Sequence, residues 1–312
     1  MRHTLLHADC LEVLPTLLPN SVHAICTDPP FAGSEFDPEH LNSLREGSRG
    51  IWRVPTTGKF KNPLPKSYAL GPRAREKTSL YYDQLGAALL LPLRPGGHAL
   101  VAALPALQHL VASRLEAQGF EVRGTLVRLL SSFRGGDRPK GAESEFPDVS
   151  VVPRSGYEPW ILLRKPFSEK TAAQNLRRWG TGALRRSSRD APVWDVVPCG
   201  RVSAEERRIA PHPCLKPQKY LRQVVRMLLP VGEGVVLDPF MGSGSTVAAT
   251  LAIGAEAVGI ERDPQYHALA CRAVPLLAKL TVRVSAADRD DGPLFSSDTV
   301  SSDLASSPCD TE

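Results

Sequence analysis

The sequence has no long apolar run and no closely spaced pair of cysteines. No stretch approaches the roughly 20 apolar residues of a membrane span, and the amino terminus lacks the basic and apolar regions of a secretion signal. The six cysteines are Cys10, Cys26, Cys199, Cys214, Cys271 and Cys309. Because they form no C-x-x-C motif, neither a zinc site nor a disulfide framework is predicted. We therefore expect a cytoplasmic protein with no membrane segment and no bound metal.

Charge is distributed unevenly along the 312 residues, whose formal net charge is +5. Residues 285–312 hold seven acids and one base, a net −6, so the remainder of the chain carries +11. This acidic tail is rich in Ser and Asp and has no periodicity, which predicts disorder. Residues 44–78 carry a net +7 and residues 131–210 a net +5. Two basic segments favour a polyanionic partner such as nucleic acid.

Short apolar strands alternate with helical segments over most of the chain, which predicts an α/β fold with a mainly parallel, doubly wound sheet. Seven strands are predicted, at residues 4–8, 22–26, 98–104, 120–130, 159–163, 234–237 and 257–260. Helices are predicted at residues 11–18, 80–91, 106–118, 218–229, 245–253 and 264–280. A turn is predicted at residues 94–97, and irregular structure at 131–157 and 166–211.

Breaks in this pattern divide the chain into segments. Periodicity fails over a basic insert at 32–78 and over a second region, 134–210, that contains only one strand near 159–165. Loops of this length are usually functional or disordered. The predicted segments are 1–31, 32–78, 79–133, 134–210, 211–284 and the acidic tail 285–312.

A carboxylate, two prolines and an aromatic ring follow the second predicted strand, in the order Asp28, Pro29, Pro30 and Phe31. In open α/β sheets, ligands bind at this end of the strands. Proline has a fixed φ and no N–H, so the loop is rigid and its carbonyls can face a ligand. The carboxylate and the Pro29 carbonyl then offer two acceptors beside the flat ring of Phe31. A planar substrate with an exocyclic NH2 group fits this arrangement, and an ordinary turn is the alternative.

A Gly-x-Gly turn at residues 242–244 follows another predicted strand and opens a helix. Such glycines let a ligand approach the backbone closely, and the helix start offers free N–H groups. About 20 residues later Glu261 ends the next strand, where an acid holds the ribose hydroxyls in dinucleotide folds. Thr246 and Val247 replace the third glycine of a pyrophosphate-binding loop. A nucleoside that carries an amino-acid arm is therefore the favoured ligand.

These motifs make the chain resemble the S-adenosylmethionine-dependent DNA amino-methyltransferases, in their circularly permuted class beta order. Residues 28–31 resemble the catalytic Asp-Pro-Pro-Tyr/Phe loop and come first, and residues 238–246 resemble the cofactor loop and come last. Other matching segments are 8–11, 93–98, 119–123, 156–160, 180–183 and 212–217. Two positions depart from the family pattern: Phe31 stands where Tyr is more frequent, and Tyr157 where many relatives have His.

The resemblance implies a seven-stranded, Rossmann-like methyltransferase sheet with an inserted target-recognition region, and S-adenosyl-L-methionine as the cofactor. It implies that Glu261 binds the cofactor ribose and Asp9 the adenine amine. Further cofactor contacts are implied for Cys10, Pro213, Lys216, Asp238, Pro239, Phe240, Gly242, Gly244 and Thr246. Catalysis is implied for Asp28, Pro29, Pro30 and Phe31, with the target base flipped out of the duplex and stacked on the ring of Phe31.

The target base is predicted to be adenine, methylated at N6, because cytosine-N4 relatives more often have Ser at the position of Asp28. Cytosine N4 is the nearest alternative. A catalytically silent DNA-binding protein on the same fold, and a methyltransferase acting on RNA or protein amides, are two other readings. Double-stranded DNA is the predicted partner, and a cognate restriction endonuclease and a homodimer are further candidates.

DNA recognition is expected to come from the two inserts, because the sheet residues serve fold, cofactor and catalysis. Arginine reads guanine through two hydrogen bonds, whereas lysine contacts mostly position the phosphate backbone. We therefore predict that 134–210 recognises the target sequence and that 32–78 clamps phosphates. The predicted recognition residues are Arg185, Arg186 and Arg189, and the predicted clamping residues are Lys59, Lys61 and Lys66.

Overall fold

The computed structural model describes residues 3–30, 72–134, 138–139, 141–151, 153 and 155–282. Most of the predicted insert 32–78, up to residue 71, and the predicted disordered tail lie outside these residues. None of the helices described is both long enough and apolar enough to cross a membrane.

A mixed sheet of eight strands forms the centre of the described chain. The strands are β1 His3–His7, β2 Val22–Thr27, β3 Leu93–Ala102, β4 Glu121–Arg134, β5 Ser155–Arg164, β6 Val196–Pro198, β7 Val235–Asp238 and β8 Glu256–Glu261. Their order in the sheet is β1-β8-β7-β2-β3-β5-β4-β6. The first five strands in this order, β1, β8, β7, β2 and β3, are mutually parallel. The strand β5 is antiparallel to both its neighbours, and β6 is parallel to β4. The carboxyl ends of all strands except β5 therefore lie along one edge, which we call the carboxyl edge.

Helices cover both faces of this sheet. They are α1 Cys10–Val13, α2 Pro72–Leu90, α3 Gln108–Ala117, α4 Ala172–Trp179, α5 Ala204–Ile209, α6 Gln218–Leu228, α7 Ser245–Ala252 and α8 Pro264–Lys279, and a short 3-10 turn spans Leu14–Thr16. Side chains alternate along β3, where Ala99 and Val101 enter one core while Leu100 and Ala102 enter the other. Since α2 packs into the first core and α6 into the second, the predicted doubly wound α/β fold is confirmed.

The seven predicted strands are all present, and β6 is an eighth. It lies in the region predicted to be irregular and pairs with Val127–Leu129 of β4. Three residues are too short to show a period of two, so only the pairing partner identifies them as a strand. The predicted turn at 94–97 is also wrong, because those residues lie within β3.

Three helix predictions need correction. The helix α2 begins at Pro72, eight residues before the predicted start, and proline is favoured in the first turn of a helix. The helices α4 and α5 lie in the region predicted to be irregular. Their starts carried a recognisable signal, since Thr171 and Ser203 cap them through their side chains and Glu206 completes a capping box with Ser203.

Candidate active site

Two neighbouring strands bring the Asp-Pro-Pro motif and the glycine-rich motif together. The strand β2 pairs in parallel with β7, so Asp28 and Asp238 emerge side by side at the carboxyl edge. Thr27 Oγ1 donates a hydrogen bond of 2.7 Å to Asp238 Oδ1, although the two residues are 211 positions apart. The two motifs therefore form one continuous site.

One oxygen of the Asp28 carboxylate is paired with a lysine, and the other is buried without a partner in the described chain. Its Oδ2 lies 2.7 Å from Lys216 Nζ, and its side chain is 16% exposed. Its Oδ1 is buried and accepts no hydrogen bond from any group in the described chain. Burial raises the pKa of Asp28, Lys216 opposes that rise, and Glu158 adds to it. A buried acceptor without a partner is costly, so Oδ1 is suited to a ligand that brings a donor.

An alternating row of charges continues from Asp28 into the sheet. Lys216 Nζ lies 3.2 Å from Glu158 Oε1, and Arg128 Nη2 lies 2.7 Å from Glu158 Oε2. Trp160 Nε1 donates to Glu158 Oε1 at 2.8 Å. Burial opposes ionisation of Glu158, but Lys216 and Arg128 outweigh it and lower its pKa. Burial likewise opposes the charge of Lys216, but Asp28 and Glu158 outweigh it and raise the lysine pKa. The charged forms of Glu158 and Lys216 are therefore favoured, and Lys216 favours the ionised form of Asp28 against the effect of burial.

The position of Lys216 follows from the short connection between α5 and α6. The Glu206 carboxylate accepts the backbone N–H of Ser203 at 2.6 Å and that of Gln218 at 2.6 Å. The Gln218 side chain also donates to the Ser245 carbonyl at 2.8 Å, which joins this connection to α7. Lys216 was predicted to contact the cofactor, and the structure places its ammonium group on the Asp28 carboxylate.

The loop after β7 requires glycine at two positions. Gly242 and Gly244 have φ values of +52° and +82°, which residues with a Cβ rarely adopt. A Cβ on Gly244 would lie 2.3 Å from Val274 Cγ2, and one on Gly242 would lie 3.1 Å from the His212 ring. The Asp238 carboxylate fixes the loop from below, because its Oδ1 accepts the N–H of Phe240 at 3.1 Å. Burial raises the Asp238 pKa to about 6, although bonds from Thr246 and Thr27 oppose that rise.

Two further acids stand at the adjoining strand ends. Glu261 closes β8, and its two oxygens accept the N–H groups of Gly242 at 2.9 Å and Asp263 at 2.8 Å. Asp9 follows β1 and caps α1 through a 2.9 Å bond from the Leu11 N–H. Because β1, β8 and β7 are neighbours, Asp9, Glu261 and the glycine loop line one continuous stretch of the carboxyl edge.

The other residues predicted to belong to the site differ in their burial. Pro29 is buried, and the Pro30 carbonyl accepts a 3.4 Å hydrogen bond from Tyr82. Pro213 is exposed in the loop that leads to Lys216. The other predicted cofactor residues are buried or half-buried: Cys10, Pro239, Phe240 and Thr246. Phe31 lies outside the described residues.

Sequence reasoning missed several residues of the site. Tyr81 has a buried hydroxyl with no partner in the described chain, and its ring lies 6.4 Å from the Phe240 ring. The His212 ring packs 4.3 Å from Tyr266, and burial together with nearby Lys216 lowers its pKa to about 4. Glu158 lies in the segment 156–160 that matches the family, but no role was predicted for it. Tyr81 gave no local signal, because a tyrosine in an apolar helix usually belongs to the core.

Among the predicted DNA-contacting residues, the described ones (Arg185, Arg186 and Arg189) are not brought to this site. Lys59, Lys61 and Lys66 lie outside the described residues. The Arg185 N–H donates to the carbonyl of Met227, in the last turn of α6, and Arg226 holds the Arg186 carbonyl. Arg186 in turn donates to the Asp190 carbonyl at 3.1 Å, and Arg189 is exposed in the loop between them. Since α6 runs from Lys216 toward the opposite edge, these arginines lie one helix length, roughly 15 Å, from the carboxyl edge.

Known proteins match this chain in sequence. The family described as DNA methylase, of the N6 and N4 type, matches residues 22–272. The type II methyltransferase M.HinfI of Haemophilus influenzae is 35% identical over 86 residues, which cover 27% of this chain and 23% of that protein. This chain matches less than half the length of the curated relatives that it resembles.

Solved structures match over most of their length. The structure of M1.HpyAVI in complex with SAM is 17% identical, with a TM-score of 0.53, and the match covers 87% of this chain and 98% of that one. The cytosine-N4-specific PvuII DNA methyltransferase is 14% identical, with a TM-score of 0.56, and the match covers 91% and 89%. The fold is thus that of the Rossmann-like methyltransferases. Because the family match covers most of the chain, this chain belongs to the N6/N4 DNA methylase family, the S-adenosylmethionine-dependent DNA amino-methyltransferases.

Proposed function

We propose that this protein transfers a methyl group from S-adenosylmethionine to the exocyclic amine of a base flipped out of double-stranded DNA, with adenine N6 as the target. The observation that carries this proposal is the unpartnered Oδ1 of Asp28, a buried acceptor beside the glycine-rich loop. An aromatic amine is a poor nucleophile, because its lone pair is delocalised into the ring. A hydrogen bond from the amine to Asp28 Oδ1 would localise that lone pair on nitrogen.

The residues along the carboxyl edge fit S-adenosylmethionine. The two glycines leave the loop backbone bare, and a Cβ at either would meet Val274 or His212. Each carboxylate oxygen has two acceptor sites, so Glu261 can bind ribose hydroxyls while it holds Gly242 and Asp263. When bound, the cofactor supplies an electrophilic methyl group on its sulfonium sulfur.

Positioning is the main task of the protein's own residues in this mechanism. Asp28 Oδ1 and the Pro29 carbonyl accept the two amine hydrogens and set the direction of the nitrogen lone pair. Lys216 favours the ionised form of Asp28, because its ammonium group stabilises the carboxylate charge at 2.7 Å. Orientation of this kind can supply a large part of the rate, and no covalent intermediate with the protein is required.

The choice of base is tested by product analysis. The full chain is incubated with S-adenosylmethionine and unmethylated genomic DNA, and the DNA is digested to nucleosides for mass spectrometry. N6-methyladenine is the expected product. Detection of N4-methylcytosine would instead identify cytosine as the target base. The similar fold of the cytosine-N4-specific PvuII enzyme is the reason to test this alternative. Cofactor binding without any methylated nucleoside would favour the silent DNA-binding protein.

The proposed ribose contact gives a separate prediction. Glu261→Ala should weaken S-adenosylmethionine binding by roughly 10-fold to 100-fold, because a hydrogen bond to a charged group contributes about 1.5–3 kcal/mol. Isothermal titration calorimetry measures this change. Glu256→Ala is a matched control, since Glu256 is exposed at the other end of the same strand. Unchanged affinity in Glu261→Ala would move the ribose contact to another acid, with Asp263 the next candidate.

The division of DNA contacts between the two inserts stays a prediction. Site recognition by Arg185, Arg186 and Arg189 requires DNA to reach the edge opposite Asp28, where these residues pack on the last turn of α6. Phosphate clamping by Lys59, Lys61 and Lys66 also stays a prediction. A cognate restriction endonuclease and a homodimer are proposals that follow from the family resemblance. The cytoplasmic location is a proposal that follows from the cysteine pattern.

A further inference from the structure

A cavity of about 270 Å³ opens on the carboxyl edge beside the last strand of the sheet. It is lined by Arg128, Leu130, Cys199, Gly200, Arg201, Val202, Arg207 and Leu215. The strand β6 is parallel to β4 and ends at Pro198, so the chain leaves the sheet into this cavity at the same edge as Asp28. Leu215 directly precedes Lys216, which places the cavity next to the catalytic carboxylate's partner.

The lining of this cavity is strongly basic. Three of the eight lining residues are arginines, and none is acidic. Arg201 and Arg207 are exposed at the rim, whereas Arg128 is only 9% exposed. Glu206 of the adjoining helix α5 has its carboxylate occupied, because it accepts the N–H groups of Ser203 and Gln218.

The buried arginine is incompletely satisfied. Arg128 pairs with Glu158 through its Nη2 atom, while its Nε is buried and has no hydrogen-bond partner in the described chain. A buried donor without a partner is costly unless a ligand or water fills the position. The planar fork of arginine matches the oxygen spacing of phosphate, so an anionic oxygen is the complementary ligand.

We propose that this cavity holds a phosphodiester group of the DNA backbone next to the flipped nucleotide. This inference rests on the proposed function and adds to it the place where the DNA strand is anchored. The row of ion pairs from Asp28 through Lys216 and Glu158 ends at Arg128. A phosphate at Arg128 and a base at Asp28 are thus held by the two ends of one rigid network.

The test compares two double variants that lose the same charge. Arg201→Gln with Arg207→Gln removes both rim arginines of the cavity. Arg177→Gln with Arg208→Gln is the control, since both are exposed and neither lines the cavity. Binding of a fluorescently labelled random-sequence duplex is measured by anisotropy at several salt concentrations.

The cavity variant should flatten the plot of log Kd against log salt by roughly 0.9 for each phosphate released, and the control should not. Equal slopes in both variants, with wild-type methylation intact, would overturn the phosphate site and leave the proposed function standing. No DNA binding by the wild type would overturn the proposed function instead. If inorganic phosphate protects the wild type from thermal unfolding while the DNA salt slope is unchanged in the cavity variant, the cavity binds free anions and the proposal is wrong.

Discussion

Replacing Asp28 with alanine is expected to remove methyl transfer while S-adenosylmethionine still binds with nearly unchanged affinity. The substitution deletes the unpartnered Oδ1 acceptor that would hold the amine, and it leaves the glycine-rich loop and Glu261 in place. Removing one preorganised hydrogen-bonding group from an active site typically lowers kcat by roughly 10²–10³-fold. Single-turnover methylation and calorimetry with the cofactor measure the two halves of this expectation.

The fold should tolerate this change, because Lys216 keeps its second partner. Its ammonium group remains 3.2 Å from Glu158, so the lysine is not left as an unpaired buried charge. Asp28→Asn is the matched control for size. It keeps an acceptor oxygen but loses the charge that attracts the amine hydrogens, so an intermediate rate is expected. Turnover near that of the wild type in Asp28→Ala would remove Asp28 from the catalytic role.

Replacing Lys216 with methionine is expected to move the acid limb of the pH–rate profile to higher pH. Ionised Asp28 attracts the amine hydrogens more strongly than the protonated form does, so activity falls as the pH drops through its pKa. Burial raises that pKa, and Lys216 is the largest influence that lowers it. Without the lysine the Asp28 pKa rises further. At a fixed pH below both the original and the new pKa, activity then falls by up to about tenfold for each unit by which the pKa rises.

A shift in the pH profile separates this role from simple damage to the fold, which would lower activity equally at every pH. Lys216→Arg should restore part of the profile, since it retains the positive charge. Lys279→Met is the control for loss of a lysine, because that residue is exposed in the last turn of α8. An unchanged acid limb in Lys216→Met, with normal cofactor affinity, would show that Lys216 does not set the ionisation of Asp28.

Most of the fold was predictable from the sequence, because each long element carries its own pattern. The central strands are short apolar runs, and the helices between them repeat with a period near 3.6 residues. The strand β6 and the helices α4 and α5 were missed for a different reason. Three residues or two turns carry too little periodicity, and α5 depends on a capping box and on its contact with α6.

The residues of the candidate site also fall into two groups, those predictable from local sequence and those that only the structure revealed. Asp28, the glycine loop and Glu261 were identifiable because each is a local motif at a strand end. The predicted role of Lys216 was assigned by resemblance, whereas the structure places the side chain between Asp28 and Glu158. The lack of a partner within the described residues at Asp28 Oδ1 and at Arg128 Nε is likewise a property of the packed interior.

The sequence by itself determined the α/β class, the order of the two motifs and the residue types at the strand ends, because these depend on neighbours within a few positions. Only the tertiary structure decided which distant charges meet. The pairing of β2 with β7 joins motifs 211 residues apart, and the α5–α6 connection carries Lys216 to Asp28. The tertiary structure also placed Arg185 and Arg186 away from the carboxyl edge, and Arg201 and Arg207 at that edge. Contacts of this kind depend on strand order and helix direction, which no local pattern encodes.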